Sequence, residues 1–319
     1  MSAKGIIAVL SALSVTALGS SALAQDNPYP AHSQGYDISY PQCGTSLPSD
    51  GTFWAAGVNN GRPFTQNGCL LDQINATPSN VLTSYYFNVG YDRSYASKIT
   101  PFCANHNVGT APPEYIIAWK IGCSEAQVSS SIVKNIVENR ILSSWWLDVE
   151  TANSWSDSVE LNRWTIRGAI DYFQQQELAT VGIYSAQNLW TQIAGKNWSP
   201  PEQDIPDWMA GADLSNPSAY CSQPFSANSP VWLTQAVDKT RNLDIDYICP
   251  QPVSKSKDRP KIVTNSTGFP TNPFWGIGSY HPQSLQNLPN LPQGFLGGCS
   301  SSTDPYTSSS FYSVFKFIC

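Results

Sequence analysis

From residue 35 to about residue 249 the chain alternates two patterns: short runs of apolar and β-branched residues between polar breaks, and longer stretches with helical spacing. Runs of this length, bounded by Gly, Pro, Asn, Asp or Ser, predict strands. Eight fit, at 36–40, 53–59, 82–89, 145–150, 180–185, 207–212, 231–236 and 243–248. The run EYIIAWK at 114–120 competes for a place, so the strand count is open by one. Helices are expected at 124–142 and 158–177. In the second, Val159, Ile166, Ile170 and Phe173 recur at spacings of three, four or seven and form one apolar stripe. Asp157 or Ser158 is placed to cap it, with Glu160 in the first turn. Strands alternating with helices predict a parallel α/β fold, and eight strands suit a closed, TIM-like (β/α) barrel.

The pattern breaks at both ends. Residues 5–24 carry no charge, follow Lys4 and close on the small-residue triplet Ala22-Leu23-Ala24. That layout predicts a signal peptide over 1–24 and a secreted, extracellular protein. A membrane anchor is the rival, but Gly, Ser, Thr and Ala dilute the stretch and no basic flank follows. No later segment is apolar enough to span, so no membrane contact is expected after signal cleavage. Residues 25–34 are polar, with two prolines, and read as a loose lead; the barrel is expected over 35–250. Residues 251–319 are rich in Pro, Ser and Asn, with two cysteines, and suggest a small disulfide-stapled C-terminal extension.

Composition narrows the partners. The formal charge of −6 falls to about −7 without Lys4, and no basic run is long enough to follow a phosphate backbone, which argues against nucleic acid. Eight cysteines in an exported chain suggest about four disulfides. Neighbour pairing, Cys43/Cys69, Cys103/Cys123, Cys221/Cys249 and Cys299/Cys319, is preferred among 105 connectivities. A zinc site is the alternative, but no close Cys pair exists and His32, His106 and His281 are scattered. Sequons stand at Asn75, Asn197 and Asn265.

The sharpest local signal is WWLDVE at 145–150. Side chains two apart on a strand share a face, so Asp148 and Glu150 point the same way with Cα atoms about 6.6 Å apart. They close a strand, before a polar loop, where (β/α) barrels build active sites. Two carboxylates held this close raise one pKa and separate into an acid and a base or nucleophile, as glycosidic cleavage requires. The plain alternative is that the pair caps the next helix or meets Arg163 or Arg167 in surface ion pairs. Two further strands bear on the choice: GYDISYPQ places Asp37 in the first, and LDIDY places Asp244 and Asp246 in the last. First and last strands are neighbours in a closed barrel, so these acids can converge on one mouth.

An early Gly-x-Asp-x-Ser, a mid-chain Asp-x-Glu, a later Trp-x-x-Gln and a final Asp-x-Asp together resemble the framework of glycoside hydrolase family 25, the muramidase-type lysozymes, over about residues 35–249. The blocks Gly-Tyr-Asp-x-Ser-x-Pro-Gln-Cys and Trp-Trp-Leu-Asp-x-Glu-Thr are most similar to exported, cysteine-containing relatives of that family. The resemblance implies Glu150 as general acid and base, and Asp148 as nucleophile or as stabiliser of a substrate-assisted oxazolinium intermediate. It implies Asp37 and Asp244 as groups that orient the sugar and tune the pair, with Gln235 lining the mouth. On the third strand, where the family usually has Tyr-His-Phe, this chain has Tyr85-Tyr86-Phe87-Asn88. Tyr86 and Asn88 are the expected substrate-facing residues, although one residue of register decides between Tyr85 and Tyr86.

Eleven tryptophans and fifteen tyrosines add candidate sugar platforms, and Trp146, Trp155 and Trp208 stand near strand ends, although core packing accounts for most such residues. The resemblance implies hydrolysis of the β-1,4 links of peptidoglycan, or of another amino-sugar polymer, by a chain expected to be a monomer that uses no cofactor and no metal. The competing expectation is a noncatalytic carbohydrate-binding or cell-surface barrel.

Overall fold

The computed structural model describes residues 27–137, 140–176, 180–202 and 205–250. The expected signal peptide, the C-terminal extension, the Asn265 sequon and the Cys299/Cys319 pair lie outside the described residues. The strands are β1 (Gln34–Ile38), β2 (Phe53–Gly57), β3 (Leu82–Asn88), β4 (Ile141–Asp148), β5 (Thr180–Ser185), β6 (Asp207–Ala210), β7 (Val231–Asp238) and β8 (Leu243–Ile248). They close in sequence order into a barrel. Helices α1 (Leu70–Ala76), α2 (Pro101–Asn105), α3 (Pro113–Ile136), α4 (Val159–Gln176) and α5 (Gln187–Ile193) lie among them. All eight expected strands are present.

The competing run at 114–120 is the start of α3, which opens on Pro113 at its first turn. Its apolar residues serve a helix face: Ala118, Trp119 and Ile121 are buried. The expected helix at 124–142 therefore begins earlier and ends at Ile136, leaving Ile141 and Leu142 to β4. Helices α3 and α4 cross at two glycines. A Cβ on Gly122 would lie 1.8 Å from the Thr165 carbonyl oxygen, and one on Gly168 2.0 Å from that of Trp119, so no side chain fits at either crossing point.

One departure matters for the site. The sheet is parallel from β1 to β7, but β8 runs antiparallel to both β7 and β1. Only four residues separate β7 from β8, too few for a crossover, so the chain turns back as a hairpin. Asp238 fixes that turn, accepting from the Thr240 backbone N–H at 2.9 Å and pairing with Arg241 at 2.6 Å. The start of β8, not its end, thus meets the C-terminal ends of the other strands.

Two apolar layers hold the barrel. Outside it, Tyr85, Phe87, Trp145 and Leu147 pack with Trp119, Ile166, Ile170 and Phe173 of the helices. Inside it, Phe53, Ala55, Trp146, Trp208, Trp232, Leu233 and Ile248 pack together, with Trp146 edge-on to Trp208 at 5.6 Å and to Trp232 at 6.4 Å. Gly182 makes room for this filling, since a Cβ there would meet the Trp146 ring at 2.3 Å. Tyr29 completes it, bonding Ser84 with its hydroxyl and accepting from the Trp146 indole N–H at 3.1 Å. The described part of the lead is therefore a plug and not a loose segment, because a buried aromatic with a satisfied hydroxyl repays its ordering.

Disulfides join Cys43–Cys69, Cys103–Cys123 and Cys221–Cys249, the neighbour pairing preferred from spacing. These six cysteines are therefore not zinc ligands. Each closed loop, 20 to 28 residues long, restricts the unfolded chain by about 3 kcal/mol. Asn75 and Asn197 are exposed. Among the described residues, no helix is long and apolar enough to cross a membrane.

Candidate active site

At the C-terminal end of the parallel strands the apolar filling gives way to a layer of acids and their partners. The inward side chains are Asp37 from β1, Tyr86 and Asn88 from β3, Asp148 from β4, Tyr184 from β5, Gln235 from β7, and Asp244 and Asp246 from β8, with Glu150 two residues beyond Asp148. The aromatic floor excludes water from below, which is why the acids above it are strongly perturbed.

Register brings them together. Asp37 lies directly opposite Asp244 across the β1–β8 pair, a juxtaposition that the antiparallel return of β8 creates. Asn88 is the partner of Asp148 across β3–β4, and its side-chain N–H donates to Asp148 Oδ2. Asp148 Oδ1 is buried without a hydrogen-bond partner among the described residues. Asn59 accepts from the Asn88 backbone N–H at 3.1 Å and donates to its carbonyl at 3.2 Å, which fixes the end of β3. Beyond β4, Trp155 donates its indole N–H to the Glu150 carbonyl at 2.7 Å, and Asn153 donates to that of Asp148 at 3.4 Å.

A second chain of bonds crosses the closing seam. Tyr184 donates to Gln235 Oε1 at 2.8 Å, which turns the amide so that Nε2 donates to Asp37 Oδ2 at 2.9 Å. Trp208 donates its indole N–H to Asp246 Oδ1 at 2.8 Å.

The titration of these groups follows from burial and from one another. Burial, then the charge of Asp244, pushes Asp37 well above the usual carboxylate range, against hydrogen bonds from Gln235 and Asp246. Asp148 is raised by burial and then by the charges of Glu150 and Asp37. Glu150 is pushed up to about 7 by burial and the charge of Asp244. Asp244 rises to about 6 by burial, and Asp246 is raised by burial and by Asp37. Burial also raises Tyr86 and Tyr184, which stay neutral donors. Arg163 and Arg167, the alternative partners for the acid pair, instead meet Glu160 and Glu202 and lie over Trp198 and Trp164. Five acids that no cation among the described residues contacts cannot all be ionised at neutral pH.

All seven residues expected from the sequence are brought together here. Tyr86 takes the inward place, edge-on to Trp208 at 5.9 Å, whereas Tyr85 faces outward onto Trp145 at 5.3 Å. Trp146 and Trp208 are not platforms: they are 0% and 1% exposed and form the floor. Tyr184 was not expected at the site, whereas Asp246 was expected to converge on the mouth and lies on the inner face of β8 with its carboxyl bound by Trp208. The alternation of TVGIYS, with Gly182 inward, could have placed Tyr184.

Residues 73–230 match the family model described as Lysozyme-like protein 1. The stretch runs from within α1 to the residue before β7, so it contains Tyr86, Asn88, Asp148 and Glu150 but not Asp37, Gln235 or Asp244. The lysozyme-like resemblance read from the strand-end acids is met by this match. Among curated proteins, none matches the chain. Similar solved structures include a muramidase from Acremonium alcalophilum at 15% identity and TM-score 0.46, covering 68% of this chain and 94% of that one. A bacterial lysozyme from Streptomyces coelicolor follows at 16% and 0.47, covering 68% and 92%. A family GH25 lysozyme from Aspergillus fumigatus stands at 13% and 0.44, covering 69% and 95%.

Proposed function

We propose that this chain is an exported glycosidase that hydrolyses the β-1,4 links of peptidoglycan, with Glu150 as general acid and base. The observation that carries the reading is the Asp148/Glu150 pair at the barrel mouth, two carboxyls from one strand end in different surroundings. Among the described residues Glu150 accepts no side-chain hydrogen bond, and burial with the charge of Asp244 pushes it up to about 7, so below that pH it holds a proton to give to the leaving oxygen. While it does, its repulsion of Asp148 is absent, and the Asn88 N–H favours the Asp148 anion. Asp148, its Oδ2 held by Asn88, is then the anion beside Glu150 that serves a developing oxocarbenium centre, by direct attack or by stabilising an oxazolinium. The charge of Asp244 adds to burial in raising the proton affinity of Glu150. Asp37, 4% exposed and bound to Gln235, supports the mouth from below. Tyr86, Asn88 and Gln235 are the proposed substrate-side lining. The match to a lysozyme-like family model supports the same reaction class, and three disulfides suit export to an oxidising compartment.

Zymography on purified peptidoglycan, with chitin and chitosan gels beside it, tests the reading. Wild type should clear peptidoglycan, and Glu150→Gln should lower turnover by about 10² to 10⁴ while glycan binding survives. Binding of peptidoglycan fragments with no release of reducing ends between about pH 3 and 8 would instead make the chain a noncatalytic carbohydrate-binding barrel.

A further inference from the structure

Asp246 is the one acid of the layer to which the proposed reaction gives no part. It is fully buried, one level below Asp37, and its backbone pairs with Gly35 on one side and Gln235 on the other. Its carboxyl therefore points into the barrel between Trp208 and Asp37. The donors available to it are few. Trp208 serves Oδ1. The amide of Gln235 is turned by Tyr184 so that its N–H group goes to Asp37. Oδ2 is buried with no hydrogen-bond partner among the described residues, and the group that bears on it first is the carboxyl of Asp37. A carboxyl oxygen buried beside a second carboxyl, with no donor of its own, is best satisfied by keeping a proton and donating it to that neighbour. Asp37 has the Gln235 donor and stands nearer the mouth, so it is the better anion; Asp246, deeper and with one indole donor, is the better acid.

We infer that Asp246 is a positioning residue that keeps its proton at working pH and donates it in a hydrogen bond to Asp37, holding Asp37 as the anion beside Asp244. The chain Tyr184–Gln235–Asp37–Asp246–Trp208 then has a defined direction at every link. It ties β5, β7, β1, β8 and β6 together at the seam where the sheet changes from parallel to antiparallel. Facing the Asp37–Asp246 pair are Tyr86 of β3, Asp148 and Glu150 at the end of β4, Tyr184 of β5, Trp208 of β6, Gln235 of β7 and Asp244 of β8. No cation is among them, so a second charge at Asp246 would have no counterion.

The effect on turnover rests on the glycosidase reading; the position of the proton does not. Two substitutions separate the possibilities. Asp246→Asn keeps an N–H for Asp37 and a carbonyl for Trp208 but has no titrating proton, whereas Asp246→Leu keeps the bulk and removes both. Asp246→Asn should retain kcat/KM on peptidoglycan within about threefold, the scatter expected of a kept hydrogen bond. Asp246→Leu should lose roughly tenfold to a hundredfold, the worth of a hydrogen bond to a charged group. Its acid limb should also move to higher pH, because Asp37 without its donor holds a proton more tightly, a change that simple loosening of the barrel would not cause. Independently of activity, infrared difference spectra at pH 8 should show a protonated-carboxyl carbonyl band in wild type that is missing from Asp246→Asn. A difference spectrum without that band overturns the inference, as does an Asp246→Asn variant as impaired as Asp246→Leu. If wild type has no turnover, the glycosidase reading fails while the infrared result still decides where the proton is.

Discussion

Replacing Glu150 by Gln should stabilise the folded protein above neutral pH and leave it nearly unchanged in acid. The Glu150 carboxyl rises from an ordinary 4.5 to about 7 on folding. Below pH 4.5 it is protonated in both states and contributes nothing to pH dependence. Between 4.5 and 7 the unfolded chain releases the proton and the folded chain keeps it, so stability falls as pH rises and the loss is complete above 7. Each tenfold difference in proton affinity is worth about 1.4 kcal/mol, which makes the full penalty about 3 kcal/mol. Gln has nearly the same shape and never carries the charge. For a domain of this size 3 kcal/mol corresponds to a Tm rise on the order of 6 to 10 °C at pH 8 and close to none at pH 4. Thermal melts of both proteins from pH 4 to 8 measure this without any substrate. A Tm difference that is flat with pH, or a variant less stable than wild type at pH 8, would refute the argument that a buried, repelled carboxylate is held at the mouth.

The charge of Asp244 bears on Glu150, so Asp244→Asn should move the alkaline limb of the pH–rate profile to lower pH; an unmoved limb would separate the two groups. Gly122→Val should be strongly destabilising, by about 3 kcal/mol or more, since its Cβ would overlap the α4 backbone; urea unfolding with a wild-type midpoint would show that the helices part at little cost. Tyr29→Ala removes the plug and leaves Trp146 without its acceptor, and should cost about 3 to 5 kcal/mol by the same measurement, against near zero for an unattached lead.

Much of the site was legible in the sequence because strand periodicity is strict. WWLDVE alternates core tryptophan with acid, and once it is a strand Asp148 and Glu150 must share a face. The eight strands, the α4 stripe and the disulfide pairing are likewise local matters of spacing. Trp146 and Trp208, by contrast, look like sugar platforms in a linear reading, and only the closed barrel, whose interior must be filled to normal packing density, makes them floor. One residue of register separates Tyr85 from Tyr86, and the unshifted pairing of β3 with β2, with Ser84 and Tyr86 both on the inner face, settles which faces inward. The sequence reading expected a parallel sheet throughout, whereas β7 and β8, only four residues apart, form a hairpin. What that hairpin does, setting Asp244 opposite Asp37 and Asp246 beneath it, depends on β8 closing against β1, a contact between segments some two hundred residues apart. Sequence alone therefore determined which acids this protein carries and on which strand faces. Tertiary structure decided which of them touch, because burial and mutual repulsion, the forces that set their protonation, exist only once the barrel has closed.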